Sequence, residues 1–217
     1  MSLGATLAVM TDYVSRGLSQ TDRDPAAQAT LELSYSAGPP VFQPFLGIFA
    51  GNVNFPGADS EVDPYIGTRG TAAGVAYELV AIYYAYPDAR SELKFQFFEY
   101  GASLSHPWPL VTPTIGILYS PNFFADSGKQ FYPFVSARVP FRIIGHEWGV
   151  TGRFSRRMVE HNERFGLPDY NAWTASLDTT VHGFTFSVAY SDTNVPLSAC
   201  PTKICDPGVA FQIAKRF

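Results

Sequence analysis

The sequence has little charge and lacks a long apolar run. Asp, Glu, Lys and Arg make up 16% of the 217 residues, against about 25% in an average soluble domain. The longest apolar stretch, residues 79–86, falls well short of the ~20 residues that a transmembrane helix needs. A helical membrane protein is therefore excluded. A barrel is not, because a membrane strand needs only ~9–11 residues of alternating pattern.

The sequence also has no excess of basic over acidic residues. The net charge of -4 argues against a general nucleic-acid binder, and we expect no nucleic-acid partner. The first residues show no secretory signal, and Met1-Ser2-Leu3 suggests an expression leader in its place.

Cysteine is scarce. Cys200 and Cys205 lie in a polar turn with four residues between them, a spacing that favours a local disulfide formed in an oxidising compartment. The alternatives are two free thiols or half of a metal site. Because no second cysteine pair and no neighbouring histidine accompany them, we expect neither a metal nor a cofactor.

What the sequence does contain is period-two alternation in segments of about ten residues. In residues 27–35, each odd-numbered residue is apolar or aromatic, whereas Gln28, Thr30, Glu32 and Ser34 are polar. Successive side chains of a strand point to opposite sides, so such a segment has one apolar and one polar face. The same pattern predicts twelve strands: 3–14, 26–37, 43–54, 61–70, 75–86, 92–105 (with a bulge near Phe98-Glu99), 110–120, 129–141, 145–156, 169–181, 184–192 and 208–217.

The predicted connections alternate in length. The longer ones are 15–25, 55–60, 87–91, 121–128, 157–168 and 193–207. The shorter ones include Gly38-Pro39-Pro40, 70–74 and His182-Gly183. Long loops at one rim and short turns at the other are typical of outer-membrane barrels. We therefore predict that residues 1–217 form one closed, antiparallel, up-and-down transmembrane β-barrel of about twelve strands in the bacterial outer membrane. Ten or fourteen strands remain open.

Two motifs resemble a known family. Residues 11–21, Thr-Asp-Tyr-Val-Ser-Arg-Gly-Leu-Ser-Gln-Thr, and residues 82–87, Ile-Tyr-Tyr-Ala-Tyr-Pro, are similar to the TorF-type porin family, also catalogued as a proteobacterial conserved hypothetical family. The resemblance extends over nearly the whole chain. It implies an outer-membrane barrel and a pore, but no substrate and no catalytic residue.

The last strand carries a further signal. Val209, Phe211 and Ile213 alternate up to the terminal Phe217. This arrangement is similar to the strand by which the barrel-assembly machinery recognises outer-membrane proteins. A chance terminal Phe on an ordinary strand is the alternative.

If the apolar faces meet lipid, the charged residues line the interior. A charge facing hydrocarbon would cost about 2–4 kcal/mol at mid-depth. We therefore expect the charged residues of each strand to occupy the alternate positions that face the interior. The predicted pore-lining residues are Glu32, Asp63, Arg69, Glu78, Lys94, Arg138, Glu147, Arg153 and Asp178. Such charges could select small hydrophilic solutes, or they could pair with one another and plug the interior.

Two charged groups lie near the long-loop rim. One is basic (Arg153, Arg156, Arg157, Arg164 and Lys203) and could attract anionic solutes or lipopolysaccharide phosphates, or be ordinary solvated charge. The other crowds the first loop, from Asp12 to Asp24. It could fold inward as a constriction or form a local turn network.

The sequence favours a passive or weakly selective porin for small hydrophilic solutes, without enzyme activity. One alternative is a structural or adhesive barrel with a plugged lumen. Another is an outer-membrane lipid hydrolase around His161, near Ser155 and Glu160, although no catalytic motif accompanies that histidine.

Overall fold

The computed structural model describes residues 1–36, 41–200 and 202–217. Within these ranges the chain is almost entirely strand, with one short helix, α1 (Asn162–Phe165). None of the helices there is long and apolar enough to cross a membrane. The strands are β1 (Ser2–Met10), β2 (Val14–Ser15), β3 (Leu18–Ser19), β4 (Ala26–Ser34), β5 (Gln43–Phe55), β6 (Ala58–Ala72), β7 (Val75–Tyr84), β8 (Phe97–Ser105), β9 (Thr112–Ser120), β10 (Gln130–Ile143), β11 (His146–Val159), β12 (Tyr170–Val181), β13 (Phe184–Thr193) and β14 (Gly208–Arg216).

Twelve of these described strands form a closed antiparallel barrel. Each barrel strand pairs with its neighbours in sequence, and β1 pairs with β14 to close the ring. The remaining two, β2 and β3, form a small hairpin in the first loop. The predicted closed twelve-stranded barrel is confirmed.

Side-chain alternation turns the apolar residues outward. Leu31, Ile117 and Phe186 are 50%, 39% and 43% exposed on the outer surface. A two-sheet sandwich would bury these residues against one another, so that architecture is excluded. Glu32 and Asp178 lie on the opposite parity of their strands, which faces the interior.

One rim of the barrel carries tight turns; we call it the short-turn end. Ala73-Gly74, Ile144-Gly145 and His182-Gly183 each connect two strands with both residues at positive φ. This is the geometry of a type I′ turn, which matches the twist of a hairpin and favours glycine at the second position. The predicted turn at Gly38-Pro39-Pro40 falls outside the described residues.

The opposite rim, the long-loop end, carries the longer connections, with one exception. The predicted long loop 55–60 is wrong, because β5 and β6 both extend beyond their predicted limits and only Pro56 and Gly57 join them.

The predicted strand 92–105 also needs correction. Ser91–Leu93 is a 3-10 turn and β8 begins at Phe97. Its register with β7 runs without a shift from Ala76↔Ser105 to Tyr84↔Phe97, so the predicted bulge near Phe98-Glu99 is wrong. The change of pattern there marks the boundary between loop and strand.

The long loops pack into two clusters over the barrel mouth. The first, which we call the disulfide cluster, contains Leu18, Leu167, Tyr170, Ala172, Val195, Cys200 and Cys205. The second, the aromatic cluster, contains Val53, Ala58, Tyr86, Phe95, Phe97, Phe123 and Val159. The predicted disulfide between Cys200 and Cys205 is confirmed, with the two Cα atoms 6.2 Å apart.

Candidate functional site

Toward the short-turn end, charged side chains pair along the inner wall. Arg69 on β6 forms an ion pair with Glu32 on β4 and lies 4.0 Å from Glu78 on β7. Tyr65 donates a 3.3 Å hydrogen bond to Glu32. This part of the wall carries the mutual pairing that was one of the two expectations for the interior charges.

A second pair crosses a strand. Arg138 on β10 donates hydrogen bonds of 2.5 and 2.8 Å to Asp178 on β12, passing over β11 at Gly149. A Cβ at Gly149 would collide with the Arg138 guanidinium. The glycine therefore lets the arginine lie flat along the wall rather than project into the bore.

Three more of the predicted pore-lining residues, Asp63, Glu147 and Lys94, lie in three different environments. Asp63 is buried on the inner side of β6, and one of its carboxylate oxygens has no hydrogen-bond partner. Glu147 pairs with Arg142 at the exposed short-turn rim. The placement of Lys94 is wrong: it lies in the exposed loop before β8, because that strand begins three residues later at Phe97.

The first loop folds into the barrel as the β2–β3 hairpin, whose tip is Arg16-Gly17. Both tip residues have positive φ, 55° and 82°, as a type I′ turn requires. Its base is held by Asp12, which accepts hydrogen bonds from Ser19 (2.6 Å), Thr21 (3.1 Å) and Arg23 (3.1 Å). The loop therefore realises both expectations, an inward constriction and a local turn network.

The tip residue Arg16 crosses to the β7–β10 side of the wall. Its guanidinium pairs with Glu99, with one N–H···O distance of 2.7 Å, and donates to Tyr84 at 3.2 Å. Its Cζ atom lies 4.9 Å from the centre of the Tyr132 ring. Glu99 is fully buried and Arg16 is 10% exposed, so this is a desolvated ion pair inside the barrel mouth.

The other side of the tip rests on β12 and β13. The Tyr170 hydroxyl donates to the Arg16 carbonyl at 3.1 Å. A Cβ at Gly17 would lie 2.7 Å from both Ala172 Cβ and Thr193 Cγ2. The tip is thus in contact with opposed parts of the wall and occupies the mouth of the barrel.

The predicted basic group does not stay together. Arg153 and Arg157 point into the barrel, whereas Arg156 between them is exposed on the outer side of β11. Arg164 donates to the Asp126 carbonyl at 2.9 Å, which ties two loops together. Lys203 is exposed, and its backbone carbonyl accepts from Arg23.

Cavities lie on both sides of the hairpin. One of about 490 Å³ opens between the disulfide and aromatic clusters and is bordered by Arg16, Leu18, Phe123 and Arg157. Two more, of about 390 and 220 Å³, are bordered by the underside of the hairpin and by residues deeper in the barrel, including Thr151 and Ser187.

The predicted hydrolase residues are not brought together. Ser155 is buried inside the barrel, where it accepts a 2.8 Å hydrogen bond from Tyr132 and donates to the Ala172 carbonyl. His161 is in an outer loop and lies 3.4 Å from Glu163. Glu160 accepts from the Lys129 amide at 2.9 Å, and this contact lowers its pKa. This geometry offers no serine–histidine contact for acyl transfer.

Among the interior residues that sequence reasoning missed are Glu99, Arg157 and Glu61. Glu99 was missed because the assumed bulge assigned the wrong set of alternate side chains in its strand to the interior. Arg157 lay beyond the predicted end of the strand at residue 156. The parity of Glu147 and Arg153, continued four residues further along β11, would have placed Arg157 inside.

Solved structures with a similar fold include an outer-membrane channel and a porin. One is described as the COG4313 outer membrane channel from Pseudomonas putida F1, with a TM-score of 0.57, 7% identity, and coverage of 99% of this chain and 94% of that one. LpxR from Salmonella typhimurium gives a TM-score of 0.53 at 10% identity, covering 99% of both chains. A NanC porin gives 0.51 at 8% identity, covering 98% of both. At these identities the likeness shows the fold alone.

The sequence comparisons give a family but no characterised relative. Curated proteins give no match. The matching family description carries no porin name, so the TorF-type designation stays an expectation. Because the match spans residues 1–217, the chain belongs to the family described as "Bacterial protein of unknown function (Gcw_chp)".

Proposed function

We propose that this protein is an outer-membrane channel for small hydrophilic solutes whose mouth is narrowed by the β2–β3 hairpin. The observation that carries the proposal is the position of the hairpin tip: it stands across the barrel mouth, with cavities of about 490 Å³ on one side and about 390 Å³ on the other. A hairpin in this position controls the width of a path that continues through the barrel.

The membrane location is proposed from the distribution of side chains. Apolar residues cover the outer surface in contact with acyl chains, and charged residues face inward, as the cost of placing charge in hydrocarbon demands. Aromatic pairs also lie on the outer surface near the long-loop end: Tyr83 with Phe98 (4.7 Å) and Tyr119 with Phe131 (4.9 Å). Such rings suit the headgroup level, where lipopolysaccharide would surround them.

The route through the membrane is proposed to follow the polar inner wall. The pore-lining set is Glu32, Asp63, Arg69, Glu78, Arg138, Arg153 and Asp178. Because Arg69 and Arg138 pair with carboxylates along the wall, the wall is polar but carries little net charge there, which suits weak selection among hydrophilic solutes.

The last strand is proposed to direct assembly. In β14, Val209, Phe211 and Ile213 are exposed on the outer surface, and the strand pairs with β13 and β1 at the seam of the barrel. An apolar terminal strand in this position suits recognition by the barrel-assembly machinery.

Conductance of single proteins in a planar bilayer tests the channel. Wild-type protein is expected to give small discrete steps. Gly17→Ala is expected to enlarge them several-fold, because the residue has a φ of 82° and its new Cβ would lie 2.7 Å from Ala172 and Thr193, so the tip cannot seat. Gly166→Ala is the matched control, since Gly166 has a φ of 86° but no atom within 4 Å of an added Cβ.

The channel proposal is overturned if the folded protein does not conduct. If wild type and Gly17→Ala both fold, as judged by heat-modifiable gel migration and β-type circular dichroism, yet neither conducts, the barrel is plugged. The structural or adhesive alternative would then replace the channel.

A further inference from the structure

The cavity between the two loop clusters contains a buried cation without a counter-charge. Arg157 is 7% exposed and borders this cavity. Its Nε has no hydrogen-bond partner. Among the residues that the structure describes, no carboxylate lies within 4.0 Å of its guanidinium. The five residues outside that description are Ala, Gly and Pro, which carry no side-chain charge.

Aromatic rings surround the guanidinium. Its Cζ lies 5.2 Å from the ring centre of Phe123, 5.3 Å from Phe165, 5.7 Å from Tyr170 and 5.8 Å from Tyr132. Ring faces stabilise a cation through their quadrupole. They do not accept the directional N–H bonds that a guanidinium offers to a carboxylate. The rings therefore hold the arginine in place but leave N–H donors of its guanidinium without an acceptor.

The nearby cation Arg16 is already neutralised, since its guanidinium pairs with Glu99. Two acidic residues border the same cavity. Asp22, in the first loop, is exposed to solvent, and Glu61 lies on β6, five strands away from β11 in the ring. One Glu61 oxygen accepts a 3.0 Å hydrogen bond from Tyr86. The cavity thus has one buried, unmatched positive charge at Arg157, while its two carboxylates lie at the solvent-exposed loop and on the distant wall. This arrangement suits one negative charge on a ligand and opposes two.

Much of the remaining lining is apolar, although polar side chains such as Ser15, Gln20 and Asn54 also border the cavity. Phe55, Phe97, Phe123, Phe124 and Phe165 border the cavity, with Leu18, Leu167 and Ile204 from the disulfide cluster. An inorganic anion would lose its hydration shell in a cavity whose wall is largely apolar. A molecule with a carboxylate and a ring or short apolar body would match both parts, and a cavity of about 490 Å³ is large enough for one.

We propose that this cavity binds small monocarboxylates with an aromatic or similarly compact apolar body, the carboxylate being bound by Arg157. The proposal rests on the channel function and names a class of solute that the mouth would hold before passage. It narrows the general expectation of hydrophilic solutes to anions with an apolar part.

Calorimetric titration of detergent-solubilised protein tests the site with benzoate, and with benzamide as the neutral ligand of the same shape. Benzoate is expected to bind saturably and benzamide far more weakly. Arg157→Gln is expected to raise the Kd for benzoate by about tenfold or more, the worth of a charge-assisted hydrogen bond, and Arg157→Lys by less. Arg156→Ala is the matched control on the outer face of the same strand and is expected to leave the Kd unchanged.

Glu61→Gln tests the charge of the ligand. For a monocarboxylate, the loss of a distant negative charge leaves binding unchanged or tighter. Weaker benzoate binding in this variant would overturn the proposal, and so would equal Kd values for Arg157→Gln and Arg156→Ala in folded protein.

The two proposals fail separately. Wild-type protein that conducts potassium chloride but does not bind benzoate would overturn only the carboxylate site. Protein that binds benzoate but never conducts would overturn only the channel.

Discussion

The Arg16–Glu99 pair places two opposite charges in the barrel mouth with almost no contact with solvent. Removing one partner of such a pair leaves the other charge buried and uncompensated, at a cost of about 3–5 kcal/mol. Glu99→Gln is therefore expected to lower the free energy of unfolding by about that amount. Arg16→Met with Glu99→Gln is expected to recover most of the loss. Urea unfolding followed by tryptophan fluorescence measures both.

The control for this prediction is the exposed pair at the short-turn rim. Arg142 and Glu147 are both 75% exposed, and solvent screens such a pair so that it adds little to stability. Glu147→Gln is expected to leave stability almost unchanged. A Glu99→Gln protein as stable as Glu147→Gln would contradict the desolvated pair.

Asp88 in the β7–β8 loop predicts a pH dependence. The Ser60 hydroxyl donates to Asp88 at 2.6 Å, and the amides of Asp59 and Ser60 donate as well. The hydrogen bond from Ser60 is the main cause that holds the pKa of Asp88 below its usual value. Because the folded pKa is the lower one, the stability from this contact is present above the ordinary carboxyl pKa. It is lost as pH falls through the lowered value.

Carboxyl ¹³C shifts followed through an acid titration check this prediction. Ser60→Ala is expected to move the Asp88 midpoint upward, toward the ordinary value. Ser198→Ala, at an exposed loop position, serves as the control. An unmoved midpoint in Ser60→Ala would count against the hydroxyl as the cause.

At the level of single elements, the loop closed by the disulfide supports the hairpin. Cys200, Cys205 and Leu18 belong to the same cluster, and Arg23 donates to the carbonyls of Lys203 and Asp206. Closing so short a loop stabilises by about 2 kcal/mol in the chain-entropy account. The Cys200→Ser, Cys205→Ser variant is expected to loosen the hairpin, so that larger conductance steps become more frequent and protease cleaves the 194–207 loop faster.

Reduction of the wild type should reproduce the behaviour of the double-serine variant, and reductant should have no effect on that variant. Identical step sizes and cleavage rates in oxidised and reduced wild type would show that the disulfide does not support the hairpin.

The strands were predictable from sequence because the outer and inner faces of the barrel wall differ in polarity, so that alternate side chains along each strand are apolar and polar. Residues 184–192, for example, match β13 to within one residue. The hairpin strands β2 and β3 have two residues each, too few for an alternating pattern. Their conformation depends on contacts with distant wall residues such as Glu99 and Tyr170, which no local pattern records.

At the scale of the whole molecule, strand number, order and closure followed from the sequence, whereas the interior did not. The prediction could place Arg138 and Asp178 on inward parity, but it could not say that they pair across β11. Strand parity could have turned Arg157 inward, but it could not predict the burial of its guanidinium, since that depends on Phe123 and Phe165 from two loops that fold over it. Loop packing depends on tertiary contacts and leaves no periodic pattern in the sequence.

The position of the hairpin in the chain has a consequence for biogenesis. Arg16 follows the first strand, yet its partners Glu99 and Tyr170 lie 83 and 154 residues later. An assembly intermediate that holds only the first strands has nowhere to seat this loop. The hairpin can therefore take its position in the mouth only after β8 and β12 have joined the sheet, so the narrowing of the mouth is expected to be a late step of assembly.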